Sequence, residues 1–585
     1  MPAPNRNLLW TDITVEELIR GGLRHVCIAP GSRSTPLALS FYARRDQITI
    51  YSHLDERSAA YFALGIGLAT GIPAAVLCTS GTAAANFYPA IIEAFQARVP
   101  LLVLTADRAH ELRESGANQT IDQVKLYGDN VLWSVDVALP ESAPPPVLLR
   151  GLRTLMARAL RTANGFRKGP VHLNFPFRKP LEPIPVSTDL TDIPTAAEPR
   201  PIGEPFSQIL HGLNDLPTAQ IVAIAAVFDD HERGVIVCGP NTPEGADEAI
   251  AELSRKTGYP VIVDGLSSLR FSPYQRDIAL ISGCDSFLGK TPLDPPDVVV
   301  RFGDVPTSAA LLNWMMTLTA RYVIHFNTGW SDDSHRVSHL ILADPARLCA
   351  AVCQYLLPRS VTGWTQRWQS VEQVTREALN EALQGEFFDG QIAADVVELL
   401  PNGSALFVGN SLPVRHVDQF SKPRPGRLHL YANRGASGID GVVSTALGVA
   451  AARPNHPLTL LIGDISLYHD MNGLLAISRC RIPITIVLFN NNGGGIFRRL
   501  PIREFEPAFT DLFLTPHGLH FEHAARLYGL EYHLVTSRRE FQETFGAPSG
   551  RARLIEVCTD GHRDWARREA IMEAVAQQLQ SKIIN

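Results

Sequence analysis

Apolar residues along this 585-residue chain fall mainly in short uninterrupted runs. The first are Val26-Cys27-Ile28-Ala29, Ile48-Thr49-Ile50-Tyr51, Ala75-Val76-Leu77-Cys78, Leu101-Leu102-Val103-Leu104 and Val171-His172-Leu173. Stretches of helical period separate them, from Ser58 to Thr70 and from Ala83 to Ala97. A strand apolar at every position is covered on both faces, so the pattern predicts parallel sheets flanked by helices. The alternation resumes with Val235-Ile236-Val237, Val261-Ile262-Val263, Val298-Val299-Val300 and Tyr322-Val323-Ile324. Beyond a helical stretch around Gln366 to Leu383, a third series holds Ala405 to Val408, Leu458 to Ile462, Ile484 to Leu488 and Leu554 to Val557. A Pro-rich segment from about Pro176 to Pro205, without apolar period, reads as a linker. The fold class is therefore α/β, in three tandem domains with mainly parallel sheets: 1–180, a linker at 181–205, a central domain at 206–360, and 361–585. The length agrees, at roughly 100–200 residues per domain.

Composition narrows the function classes. Lys and Arg total 53 against 59 Asp and Glu, a formal charge of −6, which is the wrong sign for a protein that neutralises phosphates on nucleic acid. Hydrophobic content of 45% excludes a largely disordered chain. No stretch approaches the ~18 apolar residues of a membrane span, and the N-terminus lacks a secretory apolar core, so a cytoplasmic protein with no membrane partner is expected. The eight cysteines are scattered through apolar runs, and Cys349 and Cys353 fall on successive turns of an expected helix, so they read as core thiols.

Two glycine-rich stretches invite a nucleotide reading and fail it. Gly65 to Gly71 spells GxGxxxG, one residue too long for the dinucleotide fingerprint, inside a helical pattern where glycines serve close helix packing. Gly283 to Thr291 has five residues, not four, between Gly283 and Gly289, so it misses the P-loop spacing, and it follows no clear buried strand.

A stronger constellation lies in the third series. Gly463-Asp464-Ile465-Ser466 follows one buried run, and Asn490-Asn491-Asn492-Gly493-Gly494-Gly495-Ile496-Phe497 follows the next, with Asn491 27 positions after Asp464. Strand C-terminal ends are where α/β folds bind ligands. One carboxylate, one amide oxygen and one backbone carbonyl suit Mg²⁺ already bound to phosphate oxygens, and glycines let the backbone approach an anion. Either turn alone reads as well as a helix cap; together they form a metal–diphosphate clamp.

Arginines mark further strand ends. Ser32 and Arg33 follow the first run, Arg108 follows another ahead of Asn118 and Gln119, and Ser411, Arg415 and Arg434 sit in the third series. Four guanidinium groups would be a strange lining for a small apolar substrate, and they suit one with several carboxylates.

The clamp resembles the signature of the thiamine diphosphate-dependent enzymes. Across the first and third domains, GSRSTPL, SHLDERSA, TADR, GANQTI, VGNSLPVR, NRGASGIDG and NNNGGGIF are together similar to one branch of that family, which joins isochorismate to 2-oxoglutarate with release of CO2 in menaquinone or phylloquinone biosynthesis. The resemblance implies the thiamine diphosphate-binding fold, with a pyrimidine-binding first domain and a diphosphate-binding third. It implies thiamine diphosphate and Mg²⁺ or Mn²⁺ as cofactors, the metal held by Asp464, Asn491 and Gly493. Gly463, Ile465, Ser466, Gly494, Ile496 and Phe497 would contact the cofactor, and Ile439 would sit under it. Glu56 would be the acid at its pyrimidine ring. Ser32, Arg33, Arg108, Asn118, Gln119, Ser411, Arg415 and Arg434 would bind substrate carboxylates or hydroxyls, and Ile496, Phe497 and Leu500 would form an apolar wall. Since such enzymes build the site from two subunits, a homodimer or dimer of dimers follows.

The chain departs from this pattern in two places. Ile465 replaces the third residue of the usual GDG, and the central turn Pro306-Thr307-Ser308-Ala309-Ala310 carries alanines where the family has Lys or Arg. Either another cation substitutes or isochorismate is held by one contact fewer. Alternatives are another thiamine diphosphate-dependent 2-oxo acid decarboxylase or carboligase, and a catalytically silent cofactor-binding relative.

Overall fold

The computed structural model describes residues 3–190, 200, 203–210, 212, 214–243, 245–384 and 387–584. It contains three six-stranded sheets, every strand pairing parallel. The first is built from β1 (His25–Ile28), β2 (Thr49–Ser52), β3 (Ala74–Cys78), β4 (Leu101–Arg108), β5 (Trp133–Asp136) and β6 (Pro170–Phe177), in the order β2-β1-β3-β4-β6-β5. The second holds β7 (Gly234–Cys238), β8 (Val261–Val263), β9 (Leu280–Ile281), β10 (Val298–Phe302), β11 (Tyr322–Phe326) and β12 (His339–Ile341), ordered β12-β11-β10-β7-β8-β9. The third holds β13 (Ala405–Val408), β14 (His429–Tyr431), β15 (Leu458–Gly463), β16 (Thr485–Asn490), β17 (Glu531–Val535) and β18 (Arg553–Cys558), ordered β14-β13-β15-β16-β18-β17. The first and third orders are the same once renumbered, so both reverse direction between their first and third strands. That switch point leaves a crevice at the strand C-terminal ends.

The chain forms two compact bodies. One comprises Met1–His211, Asn433–Asn455 and Tyr468–Pro483; the other Gly212–Ala432, His456–Leu467 and Ile484–Asn585. The first sheet lies in the first body, the second and third sheets in the second. The apolar runs do what their pattern requires: β3 is buried at all five positions and β10 likewise.

Several elements differ from the expectation. The helix foreseen from Ala83 to Ala97 is two, Thr82–Asn86 and Tyr88–Gln96, broken at Phe87 where Pro89 restarts the turn. Pro176, read as linker, is the penultimate strand position before Phe177 in β6, paired with Asp107. Much of the remaining linker, 191–199 with 201 and 202, lies outside the described residues. A two-residue strand, β9, does precede the Gly283 segment, whose only helix is the single turn Cys284–Phe287. Cys349 and Cys353 are buried on the helix Pro345–Cys353, and all eight cysteines are free thiols. Among the described residues no helix is long and apolar enough to cross a membrane.

The rejected glycine fingerprint proves to be a packing device. Gly65 lies in the helix Glu56–Thr70, and a Cβ there would run into the backbone carbonyl of Thr445. Gly448, on the helix Val442–Ala452, faces the carbonyl of Phe62 in the same way. The two helices therefore touch backbone to backbone. Gly65→Ala is expected to lower unfolding free energy by about 1–3 kcal/mol, the usual cost of overpacking; urea unfolding of the variant reads it.

Asp470 caps the same Val442–Ala452 helix, accepting from Ser444 N at 2.7 Å and Ser444 Oγ at 3.1 Å. Burial raises its carboxyl to about 7 against the pull of these donors. An unfolded Asp titrates near ~3.9, so folding takes up a proton between those values. The stability this supplies is complete below the unfolded value and is lost as pH rises through about 7. Asp470→Asn removes that proton uptake, so the variant should gain stability relative to the parent on going from pH 5 to pH 8, with a slope of at most ~1.4 kcal/mol per pH unit.

Candidate active site

At the strand ends of the first sheet lie Ser32, Arg33, Arg108, Asn118 and Gln119, five of the eight residues predicted to bind carboxylates or hydroxyls. Arg33 follows β1 and is buried, its backbone N–H donating to Thr79 Oγ1 at 3.1 Å and its Nη1 to the Phe177 carbonyl at 3.0 Å. Gly31 is fitted to this approach, since a Cβ there would strike the Thr79 side chain. Arg108 is the last residue of β4 rather than a loop residue, and its Nη2 donates to the Asn118 carbonyl at 2.6 Å. Gln119, at φ +56°, donates through Nε2 to the Ser80 carbonyl at 3.0 Å, and Ser80 Oγ returns a bond to the Gln119 carbonyl. Ser32, Asn118 and Gln119 are exposed.

The two guanidinium groups are neighbours. Burial first, then the charge of Arg108, lowers the pKa of Arg33, with Asp107 opposing. Asp107 is nevertheless engaged elsewhere, 2.9 Å from Arg113 Nη2 and accepting from Asn174 Nδ2 at 2.9 Å. The crevice therefore presents positive charge that the protein only partly neutralises.

Glu56 opens the helix Glu56–Thr70, and its surroundings separate it from Asp55. The Asp55 carboxylate accepts from Arg57 N and Ser58 N as the helix cap, and from Asn472 Nδ2 at 3.0 Å. Arg57 is spent on the His469 carbonyl at 2.7 Å. Glu56 is half-buried, and no described residue hydrogen-bonds its carboxylate. Of the adjacent pair, only Asp55 is engaged in capping the helix.

The segment Asn433 to Gly441, which carries Arg434 and Ile439, is gripped at two points. Glu93 accepts from Gly435 N and Ala436 N, both at 2.7 Å, and burial raises its pKa despite these bonds. Asp440 accepts from Tyr61 Oη at 2.6 Å. Gly441, at φ +65°, has no room for a Cβ against the Tyr61 ring. Arg434 and Ile439 are both half-buried.

In the second body, register sets the clamp. Gly463 at the end of β15 pairs with Phe489 of β16, so Asp464 and Asn491 emerge from neighbouring strand ends. Asp464 is buried; its Oδ1 accepts from Ile465 N at 2.7 Å and its Oδ2 from Gly493 N at 2.9 Å. His517 Nε2 stands 3.1 Å from the same Oδ2. Burial raises the Asp464 pKa and outweighs these favourable contacts. Asn491 donates through Nδ2 to Asp389 Oδ2 at 3.0 Å, which leaves its amide oxygen as the uncommitted atom. Gly493 adopts φ +133° and lies against the Leu514 carbonyl, so no side chain fits there. Ser466 is buried beside the clamp.

This donor set fits a hard divalent cation. It offers a buried carboxylate whose charge lacks solvent, an amide oriented with its oxygen free, and the carbonyl of a glycine whose N–H is already bonded: all oxygen, as Mg²⁺ or Mn²⁺ require. Thr559 Oγ1 fixes Asp389 from behind at 2.8 Å. Burial raises the pKa of both Asp389 and Asp564; the charge of Asp464 adds to the rise at Asp389, and the charge of Asp389 adds to it at Asp564.

Nearby, Ser411 adopts φ +71° ahead of the helix Leu412–Phe420. Arg415 lies within that helix rather than directly beyond a strand, and its Nη1 donates to the Ser411 carbonyl at 2.6 Å. Ile496 and Phe497 are half-buried on the short 3₁₀ helix Gly495–Arg499, with Gly494 buried before it and Leu500 exposed after it. The Phe497 ring meets Phe513 at 5.6 Å, edge-on.

Asp389, Glu93, Tyr61 and His517 were not foreseen. Asp389 and Glu93 orient others from distant elements, and no local spacing marks them. His517 sits in a loop bound back to Asn492 Oδ1 through its own N–H at 3.0 Å and that of Gly518 at 2.8 Å.

Known proteins can be set beside this geometry. Residues 10–126 match the thiamine pyrophosphate enzyme N-terminal TPP binding domain, 218–408 the middle domain of thiamine pyrophosphate enzymes, and 413–557 the C-terminal TPP binding domain. A protein of Roseiflexus sp. (strain RS-1), named 2-succinyl-5-enolpyruvyl-6-hydroxy-3-cyclohexene-1-carboxylate synthase, is 56% identical over 578 residues, 97% of this chain and 98% of the relative. Proteins of the same name from Haloarcula marismortui and Halobacterium salinarum are 43% and 44% identical over 99% and 98% of this chain, and over 100% and 99% of their own lengths. Identity at this level across all three sheets leaves one conclusion: the chain belongs to the 2-succinyl-5-enolpyruvyl-6-hydroxy-3-cyclohexene-1-carboxylate synthase family of thiamine pyrophosphate enzymes.

Proposed function

We propose that this enzyme decarboxylates 2-oxoglutarate and adds the remaining four-carbon unit to the conjugated alkene of isochorismate in a 1,4 sense, giving 2-succinyl-5-enolpyruvyl-6-hydroxy-3-cyclohexene-1-carboxylate and CO2. The observation that carries this reading is the incompletely neutralised guanidinium pair Arg33–Arg108 at a ligand-binding strand edge. Both substrates are dicarboxylates, and the names of the relatives agree.

Thiamine diphosphate, when bound, supplies the carbon nucleophile and the sink for the electrons of decarboxylation. The chain supplies position, charge and dryness. Asp464, Asn491 and the Gly493 carbonyl would hold Mg²⁺ or Mn²⁺, with Gly463, Ile465, Ser466 and Gly494 lining the diphosphate. Glu56 would share a proton with the pyrimidine N1′ nitrogen, a role its uncommitted carboxylate suits. Ile439 would contact the cofactor. Ser32, Arg33, Arg108, Asn118, Gln119, Ser411, Arg415 and Arg434 orient carboxylates and hydroxyls, the arginines by forked, charge-assisted hydrogen bonds. Ile496, Phe497 and Leu500 exclude water.

The assignment extends to organisation. Residues 1–180 are the pyrimidine-binding domain and 361–585 the diphosphate-binding domain, with 206–360 between them and a linker at 181–205. A homodimer or dimer of dimers pairs the Glu56 of one subunit with the Asp464–Asn491 clamp of another, in a cytoplasmic enzyme of menaquinone or phylloquinone biosynthesis.

With thiamine diphosphate and Mg²⁺ added, CO2 release from 2-oxoglutarate is expected to exceed that from pyruvate by at least about 100-fold in kcat/KM, the value of one or two charged hydrogen bonds; comparable turnover of both would overturn the assignment. Glu56→Gln keeps size but cannot share the proton in the same way. Its turnover should fall by about 10²–10⁴-fold, while calorimetry with thiamine diphosphate and Mg²⁺ still shows tight uptake. An active Gln variant would remove Glu56 from its role.

A further inference from the structure

The alanines of the central turn leave a cationic position empty in sequence, and a chain of packed elements links that turn to arginines of the third domain. Ser308, the residue before Ala309, caps the helix Ala309–Thr317 and donates through Oγ to Asp285 Oδ1 at 2.6 Å. Asp285 belongs to the single turn Cys284–Phe287, which packs on both the Ala309–Thr317 helix and the helix Gly561–Leu579. From the latter, Arg568 Nη2 reaches to 3.9 Å from Asp285 Oδ2. The Gly561–Leu579 helix also packs on the 3₁₀ helix Gly495–Arg499. One surface thus joins the alanine turn to the residues directly after the Asn491–Gly493 clamp.

On that 3₁₀ helix, Ile496 and Arg499 are three positions apart and therefore share a face. Ile496 is assigned to the apolar wall, so Arg499 emerges beside it. The other charged groups around Arg499 are Arg568, Arg415, Asp285 and Glu569. Arg568 is already occupied: its Nη1 donates to Glu569 at 2.8 Å and its Nε to Gln419 Oε1 at 3.1 Å. Arg415 is anchored to the Ser411 carbonyl. Arg499 has no hydrogen bond or ion pair with any described residue.

We infer that Arg499 is the guanidinium that binds a carboxylate of the second, alkene-bearing substrate, in place of the cation that Ala309 and Ala310 do not supply. This rests on the function proposed above. Among the charges that act most on Arg499, two are arginines and two are carboxylates, so with Arg499 itself the positive groups outnumber the negative ones, which suits an anionic substrate. Burial, then Arg568, lowers Arg499 to about 10, and burial with the charges of Arg499, Arg568 and Arg415 lowers the enclosed His416 to about 3. The adjacent Arg498 does not share the role, because position 498 falls on another face and its guanidinium lies 5.9 Å from the Phe509 ring.

The test uses the full-length holoenzyme and three variants: Arg499→Met, Arg499→Lys, and Arg499→Met combined with Ala310→Arg. Arg499→Met is expected to raise the KM for isochorismate about 10- to 100-fold and that for 2-oxoglutarate less than about threefold, the loss of one charge-assisted contact confined to one substrate. Lysine should recover part of the loss, and the added arginine at position 310 should recover at least about fivefold by returning a cation to the turn. Calorimetric titration of each protein with isochorismate reads binding directly, should a variant lose turnover. An isochorismate affinity within about twofold of the parent, or equal losses for both substrates, overturns the inference. A parent enzyme that releases no CO2 from 2-oxoglutarate instead overturns the proposed function itself.

Discussion

Parallel strands buried on both faces impose one constraint from which the rest follows: polar chemistry can leave the sheet only at strand ends. In the first and third sheets the strand order reverses at the same place, and the candidate site residues lie at the strand ends there and on the next strand. Arg33 follows β1, Ser80 and Gly81 follow β3, and Arg108 closes β4. In the third sheet Ser411 follows β13, Asp464 follows β15 and Asn491 follows β16. A repeated topology has been given two different chemistries, guanidinium groups at one edge and an oxygen donor set at the other.

At each edge, buried or capping carboxylates fix the polar groups around them. Asp55 takes the helix cap, which frees Glu56. Asp389 takes the Asn491 nitrogen, which frees its oxygen. Glu93 takes the backbone of Gly435 and Ala436, which fixes the loop carrying Arg434 and Ile439. Burying these carboxylates is costly, and Glu93 and Asp389 show it in raised pKa values. Such charges persist where the geometry they impose is worth more than the burial costs.

Charge accounting separates this chain from the pattern it resembles. The central turn has lost its cation, and Arg499 stands on a short helix that comes from a different part of the sequence. Guanidinium binding depends on where the charge arrives, not on which element delivers it, so a substitution at positions 309 and 310 can be offset some 190 residues later.

Much was legible beforehand because it is local. Uninterrupted apolar runs gave parallel strands, since a face without polar positions cannot meet water. The one-residue excess in Gly65 to Gly71 excluded a nucleotide turn, and the glycines are used for helix contact instead. That Asp464 and Asn491 emerge from strand ends was readable because both follow buried strands. Less visible were the break at Phe87 and the strand position of Pro176, where tertiary pairing overrode local preference. Asp389 and His517 were invisible as partners, because a contact between residues far apart in the chain leaves no periodicity in either segment. The sequence by itself determined the layers, the family and the kind of atom at each strand end, all of which are properties of adjacent residues. Only the tertiary structure decided which carboxylate is spent on the fold, which amide atom is left free and that Arg499 meets no hydrogen-bonding partner among the described residues, because these depend on distances between segments that the chain order does not encode.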